Sequence, residues 1–246
     1  MAAMSALVLD IAGKIYPAQA GAPAREIFRD FRLDVAAGEF LVLLGASGLG
    51  KTTLLNIVAD LDRGFRGAVR FPAETGRPRI AYAFQNPRLL PWRTVLENIA
   101  LVLPPGEESR RRALAMLGEV GLAELADAYP ERLSLGQQRR VALARAFVIE
   151  PDVLLMDEPF VSLDEAGAAR LRVLLRRLLA QRAATVLFVT HDSAEAVELA
   201  SRIVVLDGTP ARIVRDLPVR LSPEERADPA RIEELRRKIS ADGSGQ

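Results

Sequence analysis

The residues best suited to chemistry begin at Gly45. Gly45-Ala46-Ser47-Gly48-Leu49-Gly50-Lys51-Thr52 has the spacing G-x-x-x-x-G-K-S/T, and it stands between the apolar run Glu39 to Leu44 and an apolar helical pattern. Glycines in such a turn let backbone N–H groups curl around phosphate oxygens at a helix N-terminus. Lys51 then supplies a point charge to the terminal phosphates, and the Thr52 hydroxyl is placed to ligate magnesium. A glycine turn that binds nothing is the plain alternative, but strand, loop, Lys-Thr and helix all coincide here.

A second chemical group closes the run Val153-Leu154-Leu155-Met156-Asp157-Glu158-Pro159. Two carboxylates at the end of an apolar strand sit where α/β folds gather ligands. Asp157 suits a magnesium ligand, and Glu158, pointing elsewhere along the chain, suits a general base that polarises a water. His191, the sole histidine, follows the apolar run Thr185 to Thr190. The strand would deliver it to the same kind of edge, where its imidazole can donate toward a phosphate. A Thr190-His191-Asp192 helix cap satisfies the local rules as well. Leu133-Ser134-Leu135-Gly136-Gln137-Gln138 opens a further helix, and its small polar residues and glycine offer either a second anion site or an ordinary N-cap.

These groups need elements to hold them. Five runs read as strands: Ala6 to Ile11, Glu39 to Leu44, Arg79 to Phe84, Asp152 to Met156 and Thr185 to Thr190. They lack strict polar alternation, which predicts burial on both faces. Helical patterns cover Lys51 to Ala59, Glu108 to Val120, Gly136 to Ile149 and Asp164 to Arg182, the last with Leu171, Leu174, Leu175, Leu178 and Leu179 at helical spacing. Alternation of the two predicts an α/β fold with a mostly parallel sheet and flanking helices. The interval 86–150 carries helices and no strand, and reads as a helical subdomain inserted into one 1–246 domain. The Pro17 to Arg25 stretch reads as a long hairpin loop, and 240–246 as a disordered tail.

The 246 residues suffice to bury roughly three quarters of the unfolded surface, without disulfides in a chain that has no Cys. With 33 Lys+Arg against 32 Asp+Glu, the formal charge of +1 excludes bulk neutralisation of nucleic-acid phosphates, so no nucleic-acid partner is expected. No apolar run reaches the roughly 18 residues that span a bilayer. Met1 to Ser5 lacks the basic and apolar regions of a secretory leader. Arg110 to Arg112 and Glu233 to Lys238 read as solvated helix faces.

Taken together, Leu7 to Val214 resembles the nucleotide-binding subunit of ATP-binding cassette transporters, a phosphate-loop NTPase fold with an N-terminal antiparallel β part. The resemblance assigns Gly45 to Thr53, including Thr53, to the Walker A loop, and Gln85 to the Q-loop, where it would also face the magnesium. It makes Leu133 to Gln137 the signature that grips ATP through Ser134, Gly136 and Gln137. Asp157 and Glu158 become Walker B with its catalytic Glu, Ser162-Leu163-Asp164 the D-loop, and His191 the switch. Tyr16 corresponds to the aromatic that stacks on adenine. Departures are Leu135 where the family usually has Gly, Ala46 where Pro is common and Leu49 where a small residue is common.

The resemblance implies ATP and Mg2+ as ligands, and a head-to-tail dimer of two copies with ATP between Walker A of one and the signature of the other. It further implies an integral membrane permease, an extracytoplasmic substrate-binding protein acting indirectly, and a peripheral place on the cytoplasmic face of the inner membrane. Arg88-Leu89-Leu90-Pro91-Trp92 lies where the permease groove should be. The wording from Phe84 to Asn98 is most similar to the nitrate, sulfonate and taurine importer group. The chain ends too soon after the cassette for the regulatory domain of sugar-importer ATPases. An exporter or lipid-transport ATPase is the alternative within the family, and a non-transport cassette ATPase, small-molecule kinase or GTPase switch the alternatives outside transport.

Overall fold

The computed structural model describes all residues except 1–4, 19, 20, 22, 73–77, 227 and 242–246. Along the chain the elements are β1 (Ser5–Tyr16), β2 (Arg25–Ala36), β3 (Phe40–Leu44), α1 (Lys51–Val58), β4 (Arg66–Arg70), β5 (Ile80–Ala83), α2 (Val95–Ala100), α3 (Glu107–Glu119), α4 (Leu135–Phe147), β6 (Val153–Asp157), α5 (Glu165–Gln181), β7 (Thr185–Thr190), α6 (Ser193–Leu199), β8 (Arg202–Asp207), β9 (Arg212–Pro218), α7 (Pro223–Arg226) and α8 (Pro229–Ala241). They form two compact units, one of Met1–Gly76 with Thr185–Gln246, the other Arg77–Ala184.

In the first unit β1 runs antiparallel to both β2 and β4 in a sheet of order β2-β1-β4. A parallel group surrounds β3, which pairs with β7 and β8, and β9 returns antiparallel to β8. Burial on both faces holds for β3 and β7: Leu41, Val42, Leu43, Leu187 and Phe188 are all fully buried. It does not hold for β1. There Leu7, Leu9 and Ile11 are buried while Val8 and Asp10 are only partly covered, because an antiparallel sheet can leave one face open. The same alternation in β5 leaves Ile80 and Tyr82 less covered than Ala81 and Ala83. Helix α8 continues through Ala241; the rest of the tail, 242–246, and part of the Pro17 to Arg25 loop lie outside the described residues.

In the second unit β5 and β6 pair in parallel, and β6 is buried throughout. Helices α2, α3 and α4 pack on one another, and among the described residues no strand interrupts 84–152. Two N-termini carry a capping box, Thr94 with Glu97 at α2 and Ser134 with Gln137 at α4. Helix α5 buries Leu171, Leu174, Leu175 and Leu178, the expected stripe, with Leu179 only partly covered. Asn98, wholly buried, fixes the loop before α2. Its Nδ2 donates to the carbonyls of Leu90, Arg93 and Thr94 at 3.1, 3.1 and 2.9 Å, and its Oδ1 accepts from Leu90 N–H at 2.7 Å. Trp92 is thereby held outward and is 69% exposed.

Candidate functional site

The phosphate loop grows out of β3, whose last residue Leu44 pairs in register with Thr190 of β7. Gly45 and His191 therefore leave the sheet at the same carboxyl edge of neighbouring parallel strands, where α/β proteins bind ligands. Gly48 and Gly50 both take left-handed backbone, with φ of 85° and 87°. At Gly50, the N-cap of α1, a Cβ would also stand 2.2 Å from Ile27 Cγ2, so only glycine fits. Lys51 opens α1, is 4% exposed, and donates from Nζ to the carbonyls of Gly45 and Ala46, each at 2.8 Å. The loop is thus closed on itself by the cation that would meet a phosphate. Thr52 and Thr53 follow on the first turn of α1. Arg25 adds a second cation, donating to the Gly48 carbonyl at 2.6 Å.

Tyr16 ends β1 and is 41% exposed. Its hydroxyl lies 3.1 Å from Thr53 Oγ1 and donates to Asp62 Oδ2 at 3.2 Å, which ties the ring to the phosphate-loop helix. Lys14 Nζ stands 4.4 Å from the ring centroid and donates to Asp62 Oδ1 at 2.7 Å and the Gly64 carbonyl at 3.1 Å. Burial alone would push the Asp62 carboxyl up. The Lys14 hydrogen bond, the Gly64 N–H and the Lys14 charge outweigh it and hold the carboxyl below its ordinary value. Its contribution is complete at neutral pH and is lost as pH falls through that lowered value. Lys14 is 4% exposed and Asp62 18%. Asp62→Ala, which strands a buried ammonium, is therefore expected to cost about 3 kcal/mol in urea unfolding, and Lys14→Met, which leaves a carboxylate able to reach water, clearly less.

His191 is exposed in the turn between β7 and α6. That turn is built by Thr190 Oγ1, which accepts from Asp192 N–H at 3.0 Å and donates to Glu195 Oε2 at 2.7 Å, and by Asp192 Oδ1, which accepts from Ala194 N–H at 2.6 Å.

The second unit carries the remaining candidates. Ala83 of β5 pairs with Met156 of β6, so Gln85 and Asp157, each just beyond, emerge at one carboxyl edge. Asp157 is 5% exposed. Burial, and after it the Asp157 carboxylate, pushes the Tyr82 hydroxyl far up, so Tyr82 stays a neutral donor beside that carboxylate. Strand β6 stops at Asp157. Glu158 departs through left-handed backbone, φ 43°, a conformation that a residue with a Cβ holds only when its surroundings impose it. Three residues on, Val161 N–H donates back to the Glu158 carbonyl at 3.3 Å, and Ser162 is again left-handed at φ 65°.

Helix α4 starts at Leu135, one residue earlier than the pattern predicts, with Ser134 as N-cap. Ser134 Oγ accepts from Gln137 N–H at 3.3 Å, while Ser134 N–H donates to Gln137 Oε1 at 2.8 Å. Leu135 is 37% exposed. Ser134, Leu135 and Gly136 line one cleft with Ser162, Leu163 and Asp164. Asp164 caps α5, its Oδ1 accepting from Gly167 N–H at 3.1 Å. The same α4 sends Arg145 to the Pro87 and Arg88 carbonyls at 2.7 and 3.0 Å, just after Gln85. Sequence reading missed Lys14, Arg25, Asp62, Arg139 and the Arg145 contact.

A strand, a left-handed glycine turn and a buried lysine at a helix N-terminus define a phosphate-loop nucleotide-binding protein. Residues 28–161 match the family model described as ABC transporter. The chain is 45% identical over 207 residues to aliphatic sulfonates import ATP-binding protein SsuB 1 of Mesorhizobium japonicum, covering 82% of this chain and 77% of that one. It is 46% identical over 225 residues to SsuB of a Mycobacterium species, covering 89% and 88%. A solved structure titled as the dimeric post-hydrolysis state of the ATP-binding cassette MJ0796 bound to ADP and Pi superposes with a TM-score of 0.74 at 31% identity, covering 88% of this chain and all of that one. The chain belongs to the ABC transporter family.

Proposed function

We propose that this chain is the ATP-hydrolysing subunit of an importer for sulfonate-type anions, working as a head-to-tail pair of copies on a membrane permease. The observation that carries the ATPase reading is the Gly45 to Thr52 turn, with Gly50 sterically restricted to glycine and Lys51 buried against it. The names of the relatives support import and the cargo class, and the dimeric solved relative supports the pair. Exposed Trp92, fixed by Asn98, supports a permease contact. Among the described residues no helix is long and apolar enough to cross a membrane, which fits a peripheral subunit on the cytoplasmic face. A substrate-binding protein outside the membrane would select the cargo.

In this reading the loop amides and Lys51 hold the phosphates of ATP, and Tyr16 stacks on its base. Ser134, Gly136, Gln137 and Asp164 of the second copy complete the grip. Glu158 accepts a proton from the attacking water, and His191 donates to the terminal phosphate. Gln85 and the buried carboxylate of Asp157, which leave neighbouring strands at one edge, offer oxygen donors of the kind magnesium takes, and the Thr52 hydroxyl is a donor of the same kind. Magnesium bound there would supply neutralising charge to the phosphates.

The test is uptake of 35S-labelled ethanesulfonate by the native host lacking this chain. Uptake is expected to vanish, to return with the wild-type chain, and not to return with Lys51→Ala. Undiminished uptake in the deletion strain would overturn the cargo assignment.

A further inference from the structure

Helix α4 reaches from its capped N-terminus to the turn that carries Glu158. Arg139 does the reaching. It is 6% exposed, and its guanidinium points at backbone oxygen: Nη1 donates to the Pro159 carbonyl at 2.6 Å, with the Glu158 carbonyl at 3.5 Å, and Nη2 donates to the Val161 carbonyl at 2.6 Å. All of these acceptors belong to one tight turn. That turn is conformationally costly, because Glu158 and Ser162, both bearing a Cβ, sit in left-handed backbone at its two ends.

The turn's own hydrogen bonds are long, 3.3 Å from Val161 N–H to the Glu158 carbonyl and 3.2 Å from Leu163 N–H to the Phe160 carbonyl. The two guanidinium bonds are much shorter, and being charge-assisted they are the stronger clamp. A planar fork holds its two donors at a fixed spacing and in one plane, so it dictates where both carbonyls lie, whereas an ammonium is a point charge on a flexible stem whose donors turn to suit the acceptors. An apolar side chain would fill the same buried space without the desolvation that a cation suffers. The charge is therefore accounted for by the geometry it imposes on the turn.

We propose that Arg139 is a positioning residue for the Glu158 carboxylate. It fastens the turn that aims this group to the helix whose first turn carries Ser134 and Gln137, so that a displacement of that helix end is passed directly to the general base. The proposal rests on the reading of Glu158 as that base. Arg139 touches neither ATP nor water in this scheme. Its loss disorders the angle at which the carboxylate meets water and leaves the phosphate loop as it was.

The experiment compares steady-state ATP hydrolysis by the purified full chain with Arg139→Met, Arg139→Lys and Glu158→Gln. Arg139→Met is expected to lower kcat by about 10- to 100-fold, the scale on which small misplacements of catalytic groups are felt, with KM for ATP within about twofold. Arg139→Lys, which keeps a donor for one carbonyl, is expected to recover part of kcat, and it decides the question if the Met variant does not fold. The proposal is overturned if kcat of the folded variants stays within twofold of wild type, or if kcat and KM worsen in equal proportion. Turnover retained by Glu158→Gln would instead remove the general-base reading, whatever the Arg139 variants do.

Discussion

Glu158→Gln is expected to slow ATP turnover by about 10²–10⁴-fold, the usual worth of a positioned general base, while ATP binding is preserved. The amide has the carboxylate's shape and can still accept a hydrogen bond from water, but it cannot take the proton. The half-buried side chain leaves a backbone fixed at φ 43°, so the substitution changes chemistry with little change in conformation. With hydrolysis blocked, ATP is also expected to hold two copies together, seen as an earlier peak in size exclusion that ADP does not produce. Turnover within tenfold of wild type would remove Glu158 from the mechanism, and a variant that stays monomeric with ATP and magnesium would remove the paired-copy arrangement.

Gly50→Ala is expected to abolish useful ATP binding in a chain that still folds. The left-handed backbone at φ 87° disfavours any Cβ by about 1–2 kcal/mol, so the loop of the variant relaxes from this shape, and restoring the shape on binding costs about tenfold in affinity at 1.4 kcal/mol per decade. The overlap with Ile27 Cγ2 at 2.2 Å adds to this, because Ile27 is buried and cannot swing away. Gly48→Ala separates the two terms. It has the same backbone penalty at φ 85°, but its Cβ would meet only the flexible Arg25 guanidinium at 3.6 Å. Titration with a fluorescent ATP analogue should therefore rank wild type, then Gly48→Ala, then Gly50→Ala, with the melting temperatures falling in the same order. Equal loss at both glycines would mean that Ile27 yields and that conformation alone sets affinity.

The strands that carry the site were legible because burial writes itself plainly into their composition. Leu41 to Leu44, Val153 to Met156 and Val186 to Val189 are runs with no room for a solvent face, and the chemical groups stand directly after them. The run Ala6 to Ile11 misled, since an antiparallel sheet buries only alternate residues and Val8 on the open side is as apolar as its neighbours. Phosphate-loop spacing was readable because it needs residues next to one another in the chain. Lys14 with Asp62, and Arg139 with Pro159 and Val161, are pairings between segments far apart in sequence, and no local pattern announces them. One trace did exist: Arg139 precedes Ala142, Leu143 and Ala146 at helical spacing, all buried, so a charge stood on an apolar stripe. It stands next to Arg140, and nothing local in the sequence tells which of the two basic residues is buried.

Helix α4 holds two distant pairs of carbonyls through Arg139 and Arg145, and this limits how its length can change over evolutionary time. One residue inserted between them would turn Arg145 by about 100° and advance it about 1.5 Å, taking it off the Pro87 and Arg88 carbonyls while Arg139 kept its own. Most of that stretch is buried, so only substitutions that keep side-chain volume are absorbed there, and insertions and deletions are not. Lineages of this chain should vary there in spelling and stay fixed in number.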